Sequence, residues 1–207
     1  MKKIAIYGGS FDPPHKGHKL LAENLASVCG AEKVIIIPTA LSPFKNSSSA
    51  TTEDRLNMCK LFFKEDLFQI SDIEIKRGGK SYTVDTLTQI KDENPDSELF
   101  LFMGDDMLLS FDKWYCHQEI LRLATIVCAC RTENLEELQN MKHFVKNVLK
   151  AEERVIICES VPFEISSTEI RSSLKDGVNK GLSEEIYNYI AAKGLYQLTE
   201  MRNILKF

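Results

Sequence analysis

The chain has 207 residues, 43% of them hydrophobic and 27% charged, a balance that lies in the ordinary globular range and supports one sizeable buried core in a single domain. A formal net charge of −4 supplies no general basic field, so long duplex nucleic acid is excluded as a partner and any phosphate site must be built locally. No apolar run approaches the roughly 18 to 20 residues that span a bilayer, and the opening Met1-Lys2-Lys3 leads straight into Ile4-Ala5-Ile6 without a signal-peptide core, so the expected location is cytoplasmic, with no membrane association.

In chain order, residues 3–7 form a short continuous apolar run, the pattern of a strand covered on both faces. It enters the richest segment of the chain, Gly8-Gly9-Ser10-Phe11-Asp12-Pro13-Pro14-His15-Lys16-Gly17-His18, after which 16–29 shows helical spacing. Glycines at a strand end permit unusual backbone angles and close approach of a ligand, and prolines favour a helix start. His15 and His18 are three apart, so both can project from one side of the first helical turn, where free amide groups and the positive dipole end form a seat for an anion. The plain alternative is a pair of capping or partly buried histidines. A second apolar run, 33–38, precedes the polar loop 42–52, a candidate flap with Lys45 beside Phe44, and then helical spacing over 53–64.

Further on, Gly78-Gly79-Lys80-Ser81-Tyr82-Thr83 leads into a helix over 84–92, with Thr83 as the expected N-cap. The strand at 98–103 is followed by Gly104-Asp105-Asp106 and the single tryptophan, Trp114, next to Tyr115. Asp106 reads either as an acceptor for ribose hydroxyls or a magnesium contact, or as a helix cap; for Trp114, stacking on a flat ring stands beside ordinary core packing. A strand at 124–130 runs into Arg131, and a helix at 135–149 leads to a strand at 154–158. Ile165-Ser166-Ser167-Thr168-Glu169-Ile170-Arg171 then has capping-box spacing from Ser166 to Glu169, with Arg171 one turn inside a new helix; a capped surface helix with a solvated arginine is its plain alternative. A helix at 183–193 completes the domain, 1–198, and 199–207 is set apart as a tail. The six cysteines lack the paired spacing of a zinc site and read mostly as small buried hydrophobes.

Strands alternating with helices predict an α/β, Rossmann-like doubly wound parallel sheet, whose ligands sit beyond the carboxyl ends of the strands. There is no Gly-x-x-x-x-Gly-Lys-Ser/Thr loop and no Gly-x-Gly-x-x-Gly fingerprint, which removes the main support for P-loop hydrolysis and hydride transfer. Adenylyl transfer needs phosphates held and charge neutralised in line, without a protein nucleophile or general base, and two imidazoles at a helix start suit that task.

The segment from Gly9 to His18 resembles the signature of the nucleotidyltransferase superfamily with the H-x-G-H motif, which is similar in fold to the catalytic domains of class I aminoacyl-tRNA synthetases. Residues 165–171 resemble the I-S-S-T-x-I-R motif of bacterial nicotinate mononucleotide adenylyltransferases, and the 78–87 and 103–115 blocks resemble their acceptor pocket. The resemblance covers 3 to about 196. It implies a single nucleotidyltransferase-type domain that moves AMP from ATP to nicotinate mononucleotide, with magnesium carried by the ATP. It further implies catalytic roles for His15, His18 and Arg171, and ATP contacts at Gly8, Gly9, Ser10, Phe11, Gly104, Asp106, Arg131, Ile165, Ser166 and Ser167. Thr83, Trp114 and Tyr115 are implied at the pyridine ring and its carboxylate, and Lys45 at phosphate. The first Asp after Gly104 departs from the family pattern, so ligand contact is expected of Asp106 before Asp105. Two rivals remain: phosphopantetheine as acceptor, and a non-catalytic ATP sensor on the same fold. A homo-oligomer is left open.

Overall fold

The computed structural model describes residues 1–40, 50–130, 134–159 and 165–197. Lys45, Arg131, most of the 42–52 loop and the 199–207 tail lie outside the described residues. The five expected strands are present as β1 (Lys2–Gly9), β2 (Lys33–Pro38), β4 (Ser97–Gly104), β5 (Ala124–Cys130) and β6 (Val155–Glu159). A sixth, β3 (Phe68–Ile70), was not expected; at three residues it is too short to show an apolar period. All neighbours pair parallel, in the order β3-β2-β1-β4-β5-β6. That order reverses direction between β1 and β4, which places a crevice at the carboxyl ends of those two strands.

Alternation along each strand divides the core into two layers. Ala5, Tyr7, Val34, Ile36, Phe100 and Phe102 face one layer, covered by α1 (Lys16–Cys29), α2 (Thr52–Phe62), α8 (Ser167–Lys175) and α9 (Glu184–Lys193). Ile4, Ile6, Ile35, Ile37, Leu99 and Leu101 face the other. There they meet α3 (Ile73–Arg77), α4 (Thr83–Glu93), α5 (Asp105–Leu108), α6 (His117–Leu123) and α7 (Leu135–His143). Burial on both faces is why the strands read as unbroken apolar runs. Cys128 and Cys130 share the second layer, and Cys116 alone of the six cysteines is exposed.

Helix boundaries follow local chemistry. The helix α1 stops where Gly30 takes a left-handed conformation, φ 68°. Thr51 caps α2 by accepting from the Asp54 amide at 3.1 Å. The helix expected over 135–149 is continuous but changes pitch: α7 passes into a π-helical turn, Phe144–Leu149. One expected cap is displaced by a residue. Tyr82 is the N-cap of α4 and Thr83 is its first helical residue, so the Thr83 side chain is not used in capping. No helix among the described residues is long and apolar enough to cross a membrane.

Ile36 lies fully buried in β2, between β1 and β3, and belongs to the first apolar layer. Replacing Ile36 by Ala should lower stability by about 2–5 kcal/mol through lost transfer energy and a residual cavity, read as a lower urea midpoint with unchanged slope.

Candidate active site

Residues 10–15 join β1 to α1, and the helix begins at the pocket. His15 is its N-cap in extended conformation, and the His15 amide donates to His18 Nδ1 at 3.2 Å. That bond makes Nδ1 the acceptor, so the neutral His18 ring carries its proton on Nε2. The two imidazoles lie 3.7 Å apart between centroids. The capping reading and the ligand reading of this pair are therefore compatible: the inner nitrogen of His18 caps, and the ring still borders the cleft.

His15 is 5% exposed, and its Nδ1 is buried without a hydrogen-bond partner. Desolvation drives its pKa down from 6.5 to about 4, against a smaller upward pull from the Glu169 carboxylate. An orphaned polar atom in a cleft wall is one that a ligand would satisfy.

Phe11 departs from expectation. It was placed among the ATP contacts, but it is 1% exposed and forms the packing behind the site rather than its surface. Its ring meets His18 at 5.0 Å, Tyr7 at 5.4 Å and Phe63 at 5.9 Å, all edge-on, which fixes the orientation of the His18 ring. To reach that position its backbone adopts φ 46°, an uncommon conformation for an aromatic residue. The glycines are also used differently from the reading above. Gly8 and Gly9 have ordinary strand geometry, and a Cβ on Gly9 would stand 3.1 Å from the Phe11 ring, so Gly9 makes room for that ring. A Cβ on Gly8 would meet nothing within 4 Å.

The second motif arrives at the same place from the far end of the chain. Ser166 caps α8 and accepts the Glu169 amide at 3.2 Å, while the Glu169 carboxylate accepts the Ser166 amide at 2.8 Å, as the spacing implied. Ser167 Oγ donates to the Pro13 carbonyl at 3.0 Å, and Arg171 Nη1 donates to the Asp12 carbonyl at 2.7 Å. These two bonds tie the start of α8 to the turn that opens α1. Both helix N-termini consequently face one cleft of about 980 Å³ at the sheet's reversal point, a volume suited to a dinucleotide-sized ligand.

Gly8, Gly9, Ser10, His15 and His18 line one part of this cleft, and Ile165, Ser166, Ser167 and Arg171 line it alongside them. Across from them are Gly104, Asp106, Thr83, Trp114 and Tyr115. Asp106 borders the cleft from inside the first turn of α5, whose N-cap is Gly104, and so it is no cap; Asp105 instead accepts the Asp106 amide at 2.9 Å. The half-buried Trp114 ring packs on Phe111 at 5.4 Å and also borders the cleft. Tyr82 and Tyr115 stand 4.8 Å apart. No group of three or more His, Cys, Asp or Glu side chains that could hold a metal occurs among the described residues.

Several polar residues with no motif of their own hold the site. Arg55, 2% exposed, donates through Nη1 to the Ser10 carbonyl at 2.7 Å and through Nη2 to the Thr39 carbonyl at 2.6 Å, fastening the ends of β1 and β2. Burial lowers its pKa and the Asp12 carboxylate opposes that shift. Ser81 Oγ accepts the Ala40 amide at 3.2 Å. Thr86 receives Arg77 Nη2 at 2.8 Å and donates to buried Glu74 at 2.9 Å, bracing the loop that delivers Tyr82 and Thr83. The only sequence signal for these residues is a charge or hydroxyl on an otherwise apolar helix face.

The low pKa of His15 has a stability consequence. Between about pH 4 and 6.5 the unfolded chain binds a proton there that the folded chain does not, so stability rises with pH across that window, is complete above 6.5 and drains away as pH falls toward 4. Urea unfolding across this range should show that slope, and His15→Gln should flatten it.

A family model described as cytidylyltransferase-like matches residues 6–173. A protein of Aquifex aeolicus named "Probable nicotinate-nucleotide adenylyltransferase" is 40% identical over 168 residues, covering 79% of this chain and 98% of that one. A protein of Chloroherpeton thalassium with the same name is 35% identical over 204 residues, covering 95% and 98%. Among solved structures, a Plasmodium falciparum nicotinic acid mononucleotide adenylyltransferase complexed with NaAD superposes with a TM-score of 0.77 over 96% of this chain and 98% of that one; at 19% identity it attests the shared fold. With the family model over most of its length and relatives of this identity along nearly all of it, the chain belongs to the cytidylyltransferase-like family and, within it, to the nicotinate-nucleotide adenylyltransferases.

Proposed function

We infer that the chain transfers the adenylyl group of ATP to nicotinate mononucleotide, giving the deamido dinucleotide and pyrophosphate in NAD biosynthesis. The observation that carries this reading is the convergence of the α1 and α8 N-termini, bonded to each other through Arg171–Asp12 and Ser167–Pro13, on one cleft whose other side is aromatic. In this reading the triphosphate lies across the two helix starts. His18 donates from Nε2 and His15 pairs its orphaned nitrogen with a phosphate oxygen. Arg171 turns its guanidinium to the phosphates, and the backbone near Ile165, with Ser166 and Ser167, borders the nucleotide.

The acceptor phosphate then attacks the α-phosphorus in line, the bond to the bridging oxygen breaks, and pyrophosphate departs with its electron pair. Neutral imidazoles and amide dipoles stabilise the added equatorial charge without a proton transfer, so the residues act by position and field. The pyridine ring rests between Trp114 and Tyr115, and its carboxylate faces the first turn of α4 at Thr83, where the dipole is positive. Lys45 and Arg131 are assigned to phosphate and nucleotide from sequence alone. Magnesium belongs here to the substrate, as the MgATP complex, with Asp106 among the carboxylates that border the cleft. The compartment this reading gives the enzyme is the cytoplasm.

Purified protein given MgATP and nicotinate mononucleotide should release pyrophosphate, and phosphopantetheine should not substitute as acceptor. His18→Ala should reduce kcat by about 10²–10³-fold while changing ATP affinity far less, since its bond strengthens as charge builds on the phosphorus oxygens. Equal losses in turnover and affinity would favour a nucleotide sensor, and no pyrophosphate with either pyridine mononucleotide would overturn the assignment.

A further inference from the structure

We propose that Lys113 is a specificity-determining residue for the acceptor, its ammonium supplying the whole positive charge that selects a ring bearing a carboxylate over one bearing a carboxamide. Among the described residues, Arg171 and Lys113 are the only arginine or lysine side chains that border the cleft. They belong to different parts of it. Arg171 lies in α8 and is bonded to the Asp12 carbonyl at 2.7 Å and to Thr168 Oγ1 at 3.2 Å. Lys113 directly precedes Trp114 and Tyr115 on the aromatic side, is exposed, and makes no hydrogen bond or ion pair through its ammonium among the described residues.

The backbone fixes where this cation is delivered. Residues Phe111–Lys113 form a 3-10 turn whose first residue, Phe111, is fully buried. Positions three apart eclipse in such a turn, which is why the Trp114 ring lies on Phe111 at 5.4 Å. Ser110 Oγ stands 3.2 Å from each of the Asp106 and Met107 carbonyl oxygens, and the Lys113 and Trp114 amides donate to the Ser110 and Phe111 carbonyls at 3.1 and 3.0 Å. The turn is thereby joined to α5, and the freedom left to Lys113 is that of its four-carbon stem.

The proposal rests on the reading that the pyridine ring lies between Trp114 and Tyr115, and it deepens that reading. Nicotinate and nicotinamide mononucleotides differ in one ring substituent, a carboxylate with a full negative charge against a neutral amide. Stacking on Trp114 is available to both rings, so it cannot separate them. Separation needs positive potential at the substituent. The first turn of α4 contributes about half a charge. Glu74, bonded to Thr86 of α4 at 2.9 Å, and Asp106 also border the cleft, and acidic side chains contribute potential of the opposite sign. A whole cation beside the ring shifts the balance toward the anionic acceptor, and an exposed ammonium on a flexible stem can follow the substituent as the ring enters. The acceptor phosphate must reach the α-phosphorus at the helix starts, so the ring carboxylate is the anionic group left for Lys113.

Steady-state pyrophosphate release should be measured for the wild type, Lys113→Gln and Lys113→Arg with each of the two pyridine mononucleotides. Lys113→Gln should raise KM for the nicotinate acceptor about two- to fivefold, the range of a solvent-facing ion pair, with kcat, KM for MgATP and KM for the nicotinamide acceptor as in the wild type. The ratio of kcat/KM between the acceptors should fall by the same factor, and Lys113→Arg should restore it. Added salt should erode the nicotinate preference of the wild type and leave that of Lys113→Gln nearly flat. A purely structural role predicts instead a lower melting temperature with the ratio intact. An unchanged ratio, equal losses with both acceptors as a phosphate contact would give, or a Lys113→Arg protein no better than Lys113→Gln would each overturn the proposal. If the wild type uses both acceptors and only the ratio fails to respond, the Lys113 proposal alone is lost, whereas a wild type that uses neither removes the site reading and the proposal with it.

Discussion

Everything in the cleft depends on a short set of hydrogen bonds between main-chain carbonyls of one turn and side chains from elsewhere. Ser10, Asp12 and Pro13 offer their carbonyl oxygens to Arg55, Arg171 and Ser167 at 2.7, 2.7 and 3.0 Å. A turn joining a strand to a helix leaves such carbonyls without ladder partners, and if buried they must be paired. Here the pairing is done by cations and a hydroxyl from α2 and α8, so satisfying the backbone also assembles the site. The two requirements cannot be separated: loosening the turn would release the arginine, and moving the arginine would orphan a carbonyl.

The sheet provides the other half of the constraint. Six parallel strands with a reversal between β1 and β4 leave a crevice that no helix fills, and the residues ending those strands, Gly9 and Gly104, both border it. Layers on both faces make the sheet rigid, so the positions of α1, α4 and α5 are inherited from strand register. The aromatic packing behind His18 continues this logic. Phe11 gives up ordinary backbone geometry to wedge between Tyr7, His18 and Phe63, and Gly9 loses its side chain to admit it. Strain at that residue is offset by the apolar area it buries and by an imidazole that cannot rotate away.

These physical facts explain what was legible in the sequence. Strands β1, β2, β4, β5 and β6 announced themselves because burial on two faces writes an unbroken apolar run, whereas β3, with only Phe68, Gln69 and Ile70, carries too little pattern. The helix starts were readable because capping is local: His15 to His18 and Ser166 to Glu169 are each separated by a single turn. Their meeting was not readable from spacing, since Arg171 and Asp12 are far apart in sequence, and it entered through resemblance. The burial of the Phe11 side chain was not legible, because a motif states that a residue is needed without stating whether its ring faces ligand or core. Arg55, Glu74 and Tyr196 were missed for a different reason. Arg55 bonds distant carbonyls, Glu74 the Thr86 hydroxyl and Tyr196 the Asp12 carboxylate, partners that no local spacing announces.

Electrostatics then resolves an apparent contradiction between composition and task. A chain with net charge −4 handles a triphosphate and a second phosphorylated anion. Several groups that border the cleft carry partial or conditional charge: helix N-termini, a His18 that accepts a backbone amide at Nδ1, and a His15 whose pKa burial lowers to about 4. Fixed dipoles in a dry cleft need no reorganisation when phosphorus charge shifts, and a neutral imidazole does not bind product pyrophosphate as a permanent cation would. Arg171, which borders the cleft, is tethered through its Nη1 to the protein's own backbone.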